Sequence, residues 1–293
     1  MSYKIENRED SLIISELKDF KPSHIFECGQ CFRWKKEDDN SYTTIASGRV
    51  INIIEDKDNF IVRGSSIEEW KEFWHHYFDL DRDYSQIKEE LSVDPILQEA
   101  ISFGYGMRLL NQDPYETIIS FIISANNQIP RIKSAVELIS NDLGDFVVSF
   151  KGKDYYSFPE PKELASKSDA YIREKYRVGF RADRIREVSR RIAQGEFDHR
   201  CIYDFDHKKG KELLTTLPGV GPKVSDCILL FAYDKSEAFP VDVWVKRVME
   251  YFYFKRNATK KELEESGEKL FGSLAGFAQQ YLFYYAREMG IGK

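Results

Sequence analysis

KELLTTLPGVGPKVSDCILLFAYDKSEAFPVDVWVKRVME, residues 211–250, is the stretch on which the reading of this chain turns. Apolar side chains recur at helical spacing up to Leu217, Pro218-Gly219-Val220-Gly221 makes a tight turn, and Pro222 stands where a second helix accepts proline as its first residue. The two glycines permit positive φ and close approach, so the N–H groups of the turn and of the new helix can face a phosphate. The pattern predicts a helix-hairpin-helix over residues 211–232, with Gly219, Val220 and Gly221 against a nucleic-acid backbone. An ordinary interhelical turn uses similar residues, but LPGVG followed directly by Pro-Lys is a specific arrangement.

Lys223 falls in the first turn of that second helix, where the positive end of the helix dipole disfavours an ammonium and favours the neutral amine a nucleophile needs. The same position also suits a plain phosphate contact. Asp242, 19 residues further on, sits at a predicted helix start. There it can cap backbone N–H groups, stabilise a cationic sugar as a glycosidic bond breaks, or do both.

Outward from this segment the chain divides by composition. Between residues 40 and 65, β-branched side chains alternate around a turn at Lys57-Asp58-Asn59, which predicts antiparallel strands, and IEEWKEFWHHYF then reads as a helix. After Asp94-Pro95 apolar residues recur at three and four spacing almost to the C-terminus. The expected class is α+β, mainly α: a small N-terminal antiparallel β domain over residues 1–90, then a helical region over 91–293 whose C-terminal helices pack back toward its N-terminal part. The formal net charge of −6 argues against a uniformly basic nucleic-acid-binding protein. Its distribution does not: residues 1–100 carry a balance of −9 and residues 173–223 one of +5, as a one-faced footprint or a solvated helix face would give.

No apolar run is long enough to span a bilayer, and the acidic start MSYKIENRED does not read as a secretion signal, so a cytoplasmic protein is expected, at the nucleoid if prokaryotic. Cys28, Cys31, Cys201 and Cys227 are then reduced thiols. Cys28-x-x-Cys31 lacks a second pair for zinc, and no cysteine follows Cys227 to build an iron–sulfur cluster, so neither metal nor cofactor is expected.

The hairpin LPGVG, a lysine two residues beyond it and an aspartate 19 residues later resemble the helix-hairpin-helix-GPD superfamily of DNA glycosylases. ECGQCFRW (27–34), RLLNQDPYETIISFIISANNQIPRI (108–132), VGFRADRI (178–185), PVDVWV and GFAQQYLFYYARE (276–288) narrow the resemblance to the 8-oxoguanine DNA glycosylases, over nearly the whole chain. It implies a small antiparallel domain before two helical domains with the active site between them. It also implies a monomer acting on double-stranded DNA that contains 8-oxoguanine, as a glycosylase with AP lyase activity. Lys223 becomes the nucleophile that forms a Schiff base and Asp242 its electrostatic partner. Gly29 would offer its carbonyl to N7–H of the lesion, Gln279 would read the Watson–Crick edge, and Phe283 and Cys227 would stack on the two faces of the base. Helical spacing agrees, since Lys223 and Cys227 share one face of a helix and Gln279 and Phe283 one face of another. Read without the resemblance, Gly29 is a turn glycine, Cys227 and Phe283 are core residues and Gln279 is a polar helix position.

The resemblance further gives Asn126 and Arg131 contacts to the base left opposite the lesion, and makes Phe180 and Arg181 the groups that fill the gap in the duplex. Phe180 stands where the family's animal members usually carry tyrosine, and Trp244 where they carry histidine. Competing readings are an oxidised-pyrimidine glycosylase-lyase on the same scaffold, of the kind that usually carries a C-terminal cysteine cluster, and a non-catalytic hairpin that only tethers DNA.

Overall fold

The computed structural model describes residues 3–291. Its N-terminal part is a six-stranded antiparallel sheet, made of β1 (Lys4–Arg8), β2 (Ser11–Ser15), β3 (Trp34–Lys36), β4 (Tyr42–Ala46), β5 (Arg49–Asp56) and β6 (Asn59–Arg63), in the order β1-β2-β6-β5-β4-β3. Register follows the alternation: Leu12 pairs with Val62 and Ile14 with Phe60, and all four point to the buried face. There they meet Phe20, Phe26, Trp70, Trp74 and Phe78.

Strands β1, β2 and β3 lie outside the segment whose alternation announces a sheet. KIENR of β1 is an exposed edge with no apolar face to reveal it. The helix expected from IEEWKEFWHHYF forms over Ile67–Tyr77, with a π-helical stretch at Trp70–Trp74 that turns both indoles inward.

Among the helices that follow, nine bear on the site, most begun by the residue types that cap orphan N–H groups. They are α1 (Pro95–Phe103), α2 (Pro114–Ser124), α3 (Ile129–Leu143), α4 (Ala182–Ala193), α5 (His207–Leu214), α6 (Pro222–Ala232), α7 (Val243–Val248), α8 (Lys260–Phe271) and α9 (Ala275–Met289). Asp94 caps α1, Asp113 α2 and Asp206 α5, while Thr259 and Glu262 form a capping box on α8. One apolar cluster runs through these helices and takes in Cys28 and Phe32 from the N-terminal part; a second holds most of the sheet, residues up to Leu80, and Leu110.

The helical region also holds a hairpin that its sequence did not announce, β7 (Phe146–Phe150) with β8 (Lys153–Tyr156). Its Tyr155 is buried against Ile45 and Val50 of the N-terminal sheet. The first helix of the predicted helix-hairpin-helix is α5, so it starts at His207, ahead of residue 211, and stops at Leu214, short of Leu217. Buried Asp226 of α6 ties the two helices together, accepting from Lys211 Nζ at 2.7 Å and pairing with His207 Nε2 at 2.8 Å. Among the described residues no helix is long and apolar enough to cross a membrane.

Candidate active site

Helix α6 has Gly221 as its N-cap and Pro222 as its first residue, and so projects Lys223 and, one turn later, Cys227 from one face. Lys223 Nζ lies 5.5 Å from the centre of the Phe121 ring of α2. Burial pushes the Cys227 thiol up to about 11, against the pull of the neighbouring Lys223 charge, so this side chain is a neutral, polarisable surface at physiological pH.

Asp242 is the N-cap of α7, and its Oδ1 accepts from Trp244 N at 2.9 Å and Val245 N at 2.8 Å. Its other carboxylate oxygen takes no hydrogen bond among the described residues. Burial raises its pKa above the ordinary aspartate value, while the Val245 N–H, the Lys223 charge, the Trp244 N–H and Arg287 oppose the rise. One oxygen therefore caps a helix, and the residue also lines the cleft.

Opposite α6 stands α9. Gln279 is 4% exposed, and its Oε1 is buried without a hydrogen-bond partner. One turn on, Phe283 approaches Gly29, whose φ is +86° and where an added Cβ would lie 3.1 Å from Phe283 Cε1 and 3.0 Å from Arg287 Nη1. Both the backbone angle and the space thus require glycine here. Gly29, Lys223, Cys227, Asp242, Gln279 and Phe283 line one cleft of about 420 Å³, with exposed Asn126 on its wall. That volume lies within the roughly 300–1,000 Å³ usual for ligand pockets. Asn126 has φ +51°, a left-handed conformation that a non-glycine residue adopts at some cost in strain.

The other predicted contacts lie outside this cleft. Gly219, with φ +87°, buried Val220 and exposed Gly221 form the hairpin turn. Arg131 is exposed in the first turn of α3. Phe180 is 53% exposed in the turn before α4. Arg181 departs from the role the resemblance gives it, since its guanidinium is turned inward. It donates to the carbonyls of Val178, Ala125 and Asn126, and so fastens the Phe180 turn to the strained Asn126 loop instead of reaching outward to a base.

Arg184 escaped the sequence reading. It lies one helical turn after Phe180, its guanidinium 5.2 Å from that ring, and its side chain covers Gly219, where an added Cβ would lie 2.9 Å from Arg184 Cδ. Among the described residues it makes no ion pair. The only available signal was the four-residue spacing from Phe180 in FRADR. No group of three or more His, Cys, Asp or Glu among the described residues is arranged to hold a metal ion.

Comparison with known proteins agrees with this geometry. Residues 12–118 match the 8-oxoguanine DNA glycosylase N-terminal domain, and residues 119–273 match the HhH-GPD superfamily of base excision DNA repair proteins. The chain is 36% identical to a probable N-glycosylase/DNA lyase of Methanothermobacter thermautotrophicus, across 74% of each chain. It is 29% identical to the N-glycosylase/DNA lyase of Saccharomyces cerevisiae, over 92% of this chain and 83% of that one. Its fold superposes with a TM-score of 0.96 on the 8-oxoguanine glycosylase/lyase of Clostridium acetobutylicum, solved with double-stranded DNA containing cytosine opposite 8-oxoguanine. That structure is 42% identical and matches over 99% of this chain and 100% of the other. An N-terminal antiparallel sheet, a helix-hairpin-helix and a lysine–aspartate pair facing a common cleft thus go together with sequence identity along most of the chain: it belongs to the HhH-GPD superfamily of base excision DNA repair proteins, as a DNA glycosylase/lyase.

Proposed function

We propose that this protein excises 8-oxoguanine from double-stranded DNA, with Lys223 as nucleophile and Asp242 as its electrostatic partner. The observation that carries the reading is the convergence of Lys223 and Asp242 on one cleft with a slot walled by Gly29, Cys227, Gln279 and Phe283. The protein acts as a monomer in the cytoplasm, at the nucleoid if its source is prokaryotic. Its hairpin and Arg184 hold the backbone while Phe180 enters the space the flipped base leaves.

The slot separates lesion from parent base at one atom. Guanine carries an acceptor at N7, whereas 8-oxoguanine carries a donor there, so a fixed Gly29 carbonyl accepts from one and repels the other. Mismatching a buried polar pair costs about 1–3 kcal/mol, added to the cost of flipping. Gln279, with its unpartnered Oε1, meets the Watson–Crick edge.

In the chemical step the Lys223 amine, having released its proton, attacks C1′ as the bond to N9 breaks. The base departs with the bonding electrons and takes up the proton that the Lys223 ammonium released. The Asp242 carboxylate faces the positive charge that develops on the sugar, where a preorganised anion is worth most. Opening of the sugar ring, with O4′ leaving as a hydroxyl, gives the iminium between Nζ and C1′, from which loss of the C2′ proton expels the 3′ phosphate and cuts the strand.

With the Arg181 donors engaged on backbone and no hydroxyl on Phe180, recognition of the orphaned base falls to Asn126 and Arg131. A panel of duplexes with 8-oxoguanine opposite each of the four bases, together with oxidised pyrimidines, tests the proposal. Excision of 8-oxoguanine that falls at least about tenfold in Gln279→Ala is expected. Preference for an oxidised pyrimidine, or unchanged kinetics in Gln279→Ala, contradicts it.

A further inference from the structure

We infer that Gln280 and Arg287 of α9 are positioning residues that fix the Gly29 carbonyl in the base slot, and so set discrimination for the lesion without touching it through their clamping atoms. The inference rests on the base slot proposed above.

The loop at residues 27–30 has little regular structure, yet its carbonyl groups are nearly all committed. Arg287 Nη2 donates to the carbonyl of Glu27, and Gln280 Nε2 donates to that of Cys28 at 2.8 Å. On the far side Gln112 Nε2 donates to the carbonyl of Gln30 at 2.9 Å. The fully buried Gln30 side chain donates to the carbonyls of Ile25 at 2.9 Å and Arg108 at 2.8 Å, and accepts from Leu110 N at 2.9 Å. The Gly29 carbonyl, at the centre of this loop, takes no hydrogen bond among the described residues. A loop anchored on both sides of one free acceptor holds that acceptor ready without reorganisation.

The anchors on the near side come from the helix that carries the base-reading residues. Gln279, Gln280 and Phe283 all line the cleft, and Arg287 follows Phe283 one turn further along the same helix, with Gln280 Nε2 and Arg287 Nη2 turned onto the loop backbone. The Arg287 guanidinium lies 5.3 Å from the Phe283 ring centre, and its Nη1 occupies the space into which a Gly29 side chain would project, 3.0 Å from an added Cβ. Gln280 is 2% exposed, so its bond to Cys28 forms away from competing water. The separation between the Gly29 carbonyl and the Gln279–Phe283 wall is thus set by a rigid helix and two side chains, with the loop merely following. Without these donors the loop is free to recede, and the carbonyl no longer distinguishes a donor from an acceptor at N7.

The test uses the full chain in a Lys223→Gln background, so that binding is read without cleavage. It measures affinity for a duplex with 8-oxoguanine and for one with a tetrahydrofuran abasic analogue, which leaves the slot empty. Gln280→Met and Arg287→Met are each expected to lower the 8-oxoguanine-to-abasic affinity ratio about tenfold, while abasic binding stays unchanged and so reports an intact fold. Equal weakening on both duplexes, or an unchanged ratio, overturns the inference. Gln279→Ala separates the two levels. If it lowers the ratio while Gln280→Met and Arg287→Met do not, the clamp fails and the slot stands; if it leaves the ratio unchanged, the slot itself fails.

Discussion

Asp242 holds its proton more tightly than an ordinary aspartate because burial outweighs the two N–H groups and the nearby cations that favour its charge. An asparagine there keeps an oxygen for the Trp244 and Val245 N–H groups and removes only the charge. Asp242→Asn is therefore expected to slow base removal by about 10²–10³, the scale of losing one preorganised electrostatic partner, with DNA affinity changed only a few-fold. Equal losses in rate and affinity would reduce the residue to a cap. The raised pKa also fixes a sign. The folded carboxyl keeps its proton to a higher pH than the unfolded one, so wild type loses stability relative to Asp242→Asn as pH rises from 3.8 through the folded value. Base removal, which needs the anion, falls as pH drops through that same raised value, and a pH–rate profile of the two proteins checks both the limb and its absence in the variant. Lys223 and Asp242 were legible at this scale because a turn motif and a helix start locate them. Gln280, Arg287 and Arg184 were not, because an unremarkable polar residue on a helix gains meaning only from a loop or a glycine distant in sequence.

Helix α9 is placed by its first turn. Gly276 has no room for a side chain: a Cβ there would lie 2.3 Å from Leu230 Cδ1 of α6 and 2.9 Å from the Ser236 carbonyl, which already accepts from Gly276 N at 2.7 Å. Gly276→Ala must push apart the helix that carries Gln279 and Phe283 and the helix that carries Lys223 and Cys227. A destabilisation of about 1–3 kcal/mol, read by thermal or denaturant unfolding, is expected together with weaker lesion binding; wild-type stability would show that the helices are not packed this closely. Among elements, those with strong periodicity were readable, including α2, α6, α9 and the central strands β4 to β6. The hairpin β7–β8 was not, since what buries its Tyr155 is a pair of strands, β4 and β5, about 100 residues earlier. The edge strand β1 was not, because pairing with β2 holds it in the sheet although KIENR has no apolar face of its own.

Across the whole molecule an acidic chain carries a locally basic segment that includes the wedge, Arg184 and the hairpin. Each phosphate neutralised adds to the salt dependence of binding, so Arg184→Ala is expected to flatten the slope of log K against log[salt] by about one unit, at similar cost on any DNA sequence. An unchanged slope would show that Arg184 only packs on Gly219 and Phe180. The order of the parts was legible from composition and motif, whereas the closeness of a loop near residue 29 to a helix near residue 280 was legible only through the family resemblance, since no spacing in the chain announces it.

The account stands on the Lys223 amine becoming covalently joined to a sugar carbon. Borohydride added during incubation with a duplex containing 8-oxoguanine should trap a stable protein–DNA adduct with the wild-type protein and none with Lys223→Gln. An adduct that persists in Lys223→Gln, or its absence from wild type while the base is still released, would contradict it.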